Sequence, residues 1–312
     1  VAPDAFRPLV LEIAGLGLEV KPADPGIRLV TDAAHQPFLA ADARGDCATV
    51  TLAPLPSPRP AKKAARMVFD TGSVWRLEET HAGHLLTLRS PVYGQNPYLA
   101  VEFDRHYAVG HGETVDGGPH LAGNTMHPFV YPFDEVVYLA RLARGRGVLV
   151  HACGIQHRGR GILLLGTSGA GKSTSARLWA ERPATTVLSD DRIVIRSDGA
   201  RPRIFGTPWH GEAGIESPGS APLDAVYILE QATRNRVIDM PPSAAVAQMM
   251  VRAFPALWEQ EGLQFAVQFL AHLAEQVPVR RLQFVPEPSV VDCVLASLDP
   301  GAPEAPDAGE AA

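Results

Sequence analysis

GILLLGTSGAGKST, residues 161–174, is the stretch on which the reading of this chain turns. An apolar run, Ile162–Leu165, leads into Gly166-Thr167-Ser168-Gly169-Ala170-Gly171-Lys172-Ser173. That order is G-x-x-x-x-G-K-[ST], the phosphate-binding P-loop pattern. Four aliphatic residues suit a buried strand, and Ser175–Glu181 (SARLWAE) reads as the first turns of a helix. The residue types fit the chemistry. Gly166, Gly169 and Gly171 let the backbone turn sharply enough for N–H groups to face phosphate oxygens. The helix N-terminus adds partial positive charge. Lys172 would reach the β- and γ-phosphates, and the Ser173 hydroxyl would bind Mg²⁺. Gly166–Thr174 is thus the expected phosphate cradle. The competing reading is a glycine-rich turn before a structural helix; strand, loop, Lys-Ser and helix in order weigh against it.

The next apolar run, Thr185–Leu188, ends in Ser189-Asp190-Asp191. Two carboxylates at a strand end beside a P-loop match what phosphoryl transfer requires: one to hold Mg²⁺, one to accept a proton from an attacking hydroxyl. Neighbouring residues on a strand point to opposite faces, so the pair must take separate roles or be placed by the bend leaving the strand. Upstream, Val148–Gly166 reads as a hairpin about His157-Arg158-Gly159-Arg160-Gly161, with His151 inside its first strand. A histidine there is either a satisfied core residue or part of the site. Downstream, Ile193–Arg196 and Arg203–Phe205 flank a turn at Ser197-Asp198-Gly199. Gly206-Thr-Pro-Trp-His-Gly-Glu212 follows; Glu212 is a candidate second Mg²⁺ ligand, and Trp209 or His210 a candidate pocket wall.

The chain has 312 residues, enough for two domains, with 46% hydrophobic and 20% charged residues. A formal net charge of -6 gives no electrostatic case for a nucleic-acid partner. No apolar run approaches the roughly 20 residues that cross a bilayer. No signal-peptide pattern is visible, and Cys47, Cys153 and Cys293 are scattered and odd in number, so a cytoplasmic protein without a disulfide framework is expected.

Residues 1–125 read as a β-rich domain for partner or substrate recognition. Runs at Val10–Val20, Ile27–Val30, Ala48–Leu52, Arg66–Phe69, Val74–Leu77, Leu85–Leu88 and Leu99–Phe103 are punctuated by Gly, Pro, Asp and Asn. Pro54–Lys63 reads as an exposed loop, and residues 112–130 as a connection. His81, His84, His106 and His111 lack ligand spacing and read as surface or hydrogen-bonded histidines. A helix begins at Pro132-Phe133-Asp134 with Asp134 as cap, and Arg141, Arg144 and Arg146 form a solvated basic end. Ala225–Leu229 is a strand, Pro241 to about Trp258 and Leu263–Gln276 are helices, Val279–Val285 a strand and Ser289–Leu298 a helix. Residues 300–312 are expected to be disordered.

His151, the P-loop, the sequence Leu188-Ser189-Asp190-Asp191 and Gly206-Thr-Pro-Trp-His-Gly211 together resemble the catalytic domain of bacterial HPr serine kinase/phosphorylase. They are closer still to the HPr-kinase-like proteins of bacterial biosynthetic clusters. The resemblance covers about residues 130–235. It implies an α/β kinase domain of the phosphoenolpyruvate-carboxykinase type over residues 126–299. It also implies ATP held by Gly166–Thr174, Asp191 as general base with Asp190 beside it, and His151 in the active site. The family's E-I-R-G-x-G stretch is absent and GTPWHGE stands in its place, which makes Glu212 the candidate for the Mg²⁺-binding glutamate. Some of those relatives phosphorylate a serine in a ribosomally made peptide such as a lasso-peptide precursor. Mg-ATP-dependent transfer to a serine of a protein or peptide is therefore the expectation. Transfer to a small-molecule hydroxyl and nucleotide binding without transfer are the alternatives. No guanine-reading N-K-x-D pattern is present to choose GTP over ATP, and the related kinases are oligomers.

Overall fold

The computed structural model describes residues 7–56, 66–94, 96–197 and 201–298. The turn at Ser197-Asp198-Gly199, most of the Pro54–Lys63 loop and the 300–312 tail lie outside the described residues. The fold is mixed α/β, with large sheets and five α-helices among the described residues. The chain divides into two compact units. One comprises Val1–Leu149, Thr207–Trp209 and Phe254–Ala266; the other comprises Val150–Gly206, His210–Ala253 and Val267–Ala312.

The first unit is built on a nine-stranded sheet. In spatial order its strands are β4 (Leu39–Ala40), β1 (Leu9–Ile13), β2 (Leu16–Pro22), β5 (Asp46–Leu55), β10 (Val109–Val115), β9 (Leu99–Asp104), β8 (Gly83–Leu88), β7 (Trp75–Glu79) and β6 (Arg66–Asp70). Alternation sets its buried face: Leu16, Leu18 and Val20 on β2 and Ala48, Val50 and Leu52 on β5 are all fully buried. The expected single run Val10–Val20 is a hairpin, turned at Ala14 and Gly15, whose φ values of 55° and 73° suit a tight primed turn. A small sheet joins β11 (Leu121–Ala122), β12 (Thr125–Met126) and β3 (Arg28–Leu29).

Helix α1 (Phe133–Leu142) belongs to this unit, although it lies beyond residue 125. The Tyr138 hydroxyl is 2.7 Å from the Leu11 carbonyl and 3.1 Å from that of Leu16. Arg141 is buried, donating to the Gly17 carbonyl and pairing with Asp46. Arg144 pairs with Glu259 and Arg146 with Asp46. The three arginines therefore clamp the helix end rather than forming a solvated basic tip. Asp134 is not a cap; Pro132 holds that position. Asp134 is fully buried and accepts hydrogen bonds from His35 Nε2 at 3.0 Å and Trp209 Nε1 at 2.7 Å. Trp209, 8% exposed and edge-on to Tyr138, is thus a packed anchor and not a pocket wall.

The second unit carries an eight-stranded sheet. Its path runs β14 (Arg160–Leu165), β13 (Val148–His157), β16 (Arg192–Arg196), β17 (Arg203–Phe205), β18 (Ser220–Gln231), β20 (Val279–Phe284) and β19 (Arg236–Asp239), with β15 (Thr185–Ser189) beside β13. β14 also pairs with β18, in parallel, which closes the first five strands into a circuit. Helices α2 (Lys172–Ala180) and α5 (Ser289–Leu298) supply Ala176, Trp179, Val290, Val291 and Val294 to a core completed by Ile162, Leu164, Tyr227 and Phe284. α3 (Pro242–Met250) is shorter than expected, ending well before Trp258; α4 (Gln260–Gln276) follows. The three cysteines are free, and no described helix is long and apolar enough to cross a membrane.

Candidate active site

β14 ends at Leu165, and the chain turns through Gly166–Gly171 into α2. The turn is fixed by sterics. Gly169 and Gly171 have φ of 75° and 102°, values that L side chains rarely adopt. The Ala170 N–H closes on the Thr167 carbonyl at 3.1 Å. Thr167, Ser168 and Gly169 are exposed on this turn, Ala170 and Thr174 are half-buried, and Gly166 is buried. Gln231, at the C-terminal end of β18, donates Nε2–H to the Gly169 carbonyl at 3.0 Å.

Lys172 opens α2 and is only 6% exposed. Its ammonium folds back onto the Gly166 and Thr167 carbonyls, each at 3.1 Å. Burial draws it below the usual lysine range despite the nearby negative charge of Asp191. One residue on, Ser173 donates its hydroxyl hydrogen to Asp190 Oδ2 at 2.8 Å. That bond ties the start of α2 to the end of β15, from which the two aspartates emerge.

The aspartates face different partners. Asp190 is fully buried and accepts Ser173 Oγ–H and the Ala213 amide, at 3.0 Å, on Oδ2, and the Gly211 amide, at 2.7 Å, on Oδ1. Asp191 is half-buried; its Oδ1 is 2.7 Å from His151 Nε2, and its Oδ2 pairs with Arg192. Burial pushes the Asp191 carboxyl up, but the His151 hydrogen bond and the charges of Arg192, His151 and Lys172 outweigh it and leave it below the ordinary aspartate value. His151 is held in turn by its backbone amide, which donates to the Arg252 carbonyl at 2.7 Å.

Lys172, Ser173, Asp190, Asp191 and His151 therefore converge on one place, beside the C-terminal ends of β14 and β15. Glu212 lies between the two residues whose amides hold Asp190, but its own side chain is exposed and not among the groups that bond that carboxylate; its backbone carbonyl accepts from Arg177. His210 is exposed, with Nδ1 3.0 Å from the Gly211 carbonyl. The Ser173 hydroxyl and the Asp190 carboxylate are hard oxygen donors of the kind Mg²⁺ takes. Among the described residues no three His, Cys, Asp or Glu side chains cluster as a metal cage. The amides of Gly211 and Ala213 had no signature in the sequence, because every residue but proline carries such a donor.

A family model described as SynChlorMet cassette protein ScmC matches residues 130–282. No curated protein matches the chain. Among solved structures, the chain is similar to the Hpr(Ser) kinase/phosphatase from Coxiella burnetii, at 11% identity over 49% of this chain and 93% of that one. The TM-score is 0.29, too low for the likeness to carry an argument about this chain.

Proposed function

We propose that this chain is an Mg-ATP-dependent phosphotransferase acting on a hydroxyl, with a serine of a protein or ribosomally made peptide as its preferred acceptor. The observation that carries the reading is the Ser173–Asp190 hydrogen bond. It joins a glycine-rich turn and its lysine to a pair of aspartates, one buried and one facing His151.

In this reading the Gly166–Thr174 turn is a P-loop. Lys172 exchanges its two loop carbonyls for phosphate oxygens, and the amides of the first turn of α2 face the same oxygens. Ser173 and Asp190 would hold Mg²⁺, which when bound neutralises charge on the transferring phosphoryl group. Glu212 is the candidate further ligand. Asp191 acts as general base: His151 occupies Oδ1 and steadies the carboxylate, so Oδ2, shared with Arg192, receives the acceptor proton. The acceptor oxygen forms its bond to the γ-phosphorus as the bond to the β-phosphate bridging oxygen breaks. Lys172 and the loop amides stabilise the charge that moves.

The test is mass spectrometry of the purified protein after incubation with Mg-ATP and candidate peptides encoded by its genomic neighbours. One added phosphate on a serine, absent with Lys172→Ala, is the expected result. Asp191→Asn should keep ATP binding and lose turnover. Transfer at an unchanged rate by Lys172→Ala would falsify the assignment. Tight ATP binding with no transfer to any peptide would move the acceptor to a small molecule, or the protein to a binding role.

A further inference from the structure

Asp190 is a fully buried carboxylate held by one hydroxyl and two backbone amides. Both amides come from one short strap, Gly211-Glu212-Ala213, which closes on itself through the Gly214 amide and the Gly211 carbonyl at 3.2 Å. Buried polar oxygens need such donors, and these three fix the orientation of the carboxylate. The strap approaches so closely that a side chain at 211 has no room. A Cβ built on Gly211 would lie 2.7 Å from Asp190 Oδ2 and 3.2 Å from Asp191 Cβ. Oδ2 also receives the Ser173 hydroxyl hydrogen, so the strap fixes the atom that decides where the Ser173 lone pairs point.

We infer that Gly211 is a positioning residue for the Mg²⁺ side of the site. It acts through Asp190 on Ser173, seating the carboxylate so that the serine oxygen keeps its lone pairs for the cation. The inference rests on the phosphotransferase reading above and deepens it. It assigns to the strap the job of aiming Asp190, and explains why the position after His210 carries no side chain. The strap touches no part of the phosphate turn directly through these bonds, so its loss acts on cation-dependent binding before it acts on nucleotide binding itself.

The experiment measures ATP affinity of the full chain with and without Mg²⁺, by calorimetry, for the wild type, Gly211→Ala, Ser173→Ala and the double variant. The Mg²⁺-dependent gain in affinity should fall about tenfold in Gly211→Ala, the size expected for losing one hydrogen bond to a charged group. Mg²⁺-free binding should stay at the wild-type value, which also reports that the variant is folded. The double variant should lose no more than Ser173→Ala alone, because the two act along one path. An undiminished Mg²⁺ gain in Gly211→Ala, or additive losses in the double variant, overturns the inference. Should Gly211→Ala not fold, hydrogen exchange on the wild type decides. The Gly211 and Ala213 amides should be protected while that of Glu212 exchanges fast, and fast exchange at all three overturns it. A wild type that binds no ATP would instead remove the phosphotransferase reading on which the inference stands.

Discussion

Gly171 is fixed by two constraints at once. Its φ of 102° excludes an ordinary side chain, and a Cβ there would sit 2.4 Å from the Phe284 ring. Gly171→Ala should therefore cost about 1–3 kcal/mol from overpacking alone, before any backbone strain. It should also weaken ATP binding, since the start of α2 must shift. Denaturant unfolding and ATP titration read the two effects. Phe284→Ala in the same chain should relieve the clash but not the backbone penalty, so partial recovery is expected and full recovery would show that φ is irrelevant. His120 gives a residue-scale prediction about pH. It is fully buried, its Nδ1 is 2.9 Å from the His127 carbonyl, and Nε2 has no hydrogen-bond partner among the described residues. Burial pulls its pKa down to about 4, against the raising effects of that carbonyl and of Asp134. The unfolded chain then binds a proton that the folded chain refuses between pH 6.5 and about 4. Stability is complete above pH 6.5 and falls on the order of 3 kcal/mol as the pH drops through that window. His35 has the opposite sign: burial lowers its pKa, but Asp134 and Asp32 outweigh it and raise it above 6.5. Its contribution is complete below 6.5 and is lost as the pH rises through the folded value. Melting curves from pH 7 to 4 should flatten in His120→Phe, while His35→Gln should lose most stability at the acid end.

At the scale of elements, β10 is the instructive case. It lies between β5 and β9 in the middle of the first sheet, yet its sequence, VGHGETV, offers a weak strand signal. Gly110 and Gly112 are the reason. A Cβ on Gly110 would be 2.7 Å from the Phe103 ring, and one on Gly112 would be 2.6 Å from both the Ala100 carbonyl and Val101. The neighbouring strand covers these positions with its own side chains, a tertiary fact that a local pattern cannot carry. Gly112→Ala should destabilise by about 1–3 kcal/mol, because a backbone carbonyl cannot yield. Gly110→Ala should cost less in a Phe103→Leu background than in the wild type. Denaturant melts of the wild type, the three single variants and the Gly110→Ala/Phe103→Leu double variant check both, and equal costs for Gly110→Ala in the two backgrounds would mean the ring is not the obstacle. Strands with β-branched and aliphatic alternation, such as β2, β5 and β9, were legible from the sequence, as was the strand–turn–helix around Lys172. The reach of α3 was not: after a turn at Val251 and Arg252, Ala253 bridges to Val150 and the Phe254 amide donates to Leu149, so the chain leaves the helical path although its apolar spacing suits a helix. Within the candidate site, the side chains at 151, 172, 173, 190 and 191 stood out because their types are costly to place without a use. What the sequence hid was the strap at Gly211–Ala213, whose contribution is backbone.

For the whole molecule, the order of the chain and the order of packing disagree. The sequence suggests a break near residue 125, after the last run of strand-like segments. The first compact unit runs on to Leu149 and takes in Thr207–Trp209 and Phe254–Ala266. Polar groups hold these late pieces in place within that unit. The Trp209 indole donates to buried Asp134, and Glu259 accepts from Arg144 at 2.7 Å. Trp258 stands with its ring centroid 5.7 Å from that of Phe69 and 5.5 Å from that of Trp75. α1 adds Phe133, Val137 and Tyr138 to the buried interior, and the Tyr138 hydroxyl reaches the carbonyls of β1 and β2. A fragment of residues 126–299 therefore carries a helix whose apolar face has lost its sheet. A fragment of residues 1–125 carries a sheet stripped of α1 and of the Trp258 segment. Each exposes large apolar area worth about 25 cal/mol per Å². Neither should fold alone. The expected signs are a lost near-ultraviolet circular dichroism signal and strong binding of a hydrophobic dye, with far-ultraviolet signal retained in part. A cooperative melt of the 126–299 fragment, with native near-ultraviolet signal, would show that α1 does not need the sheet of the first unit to fold.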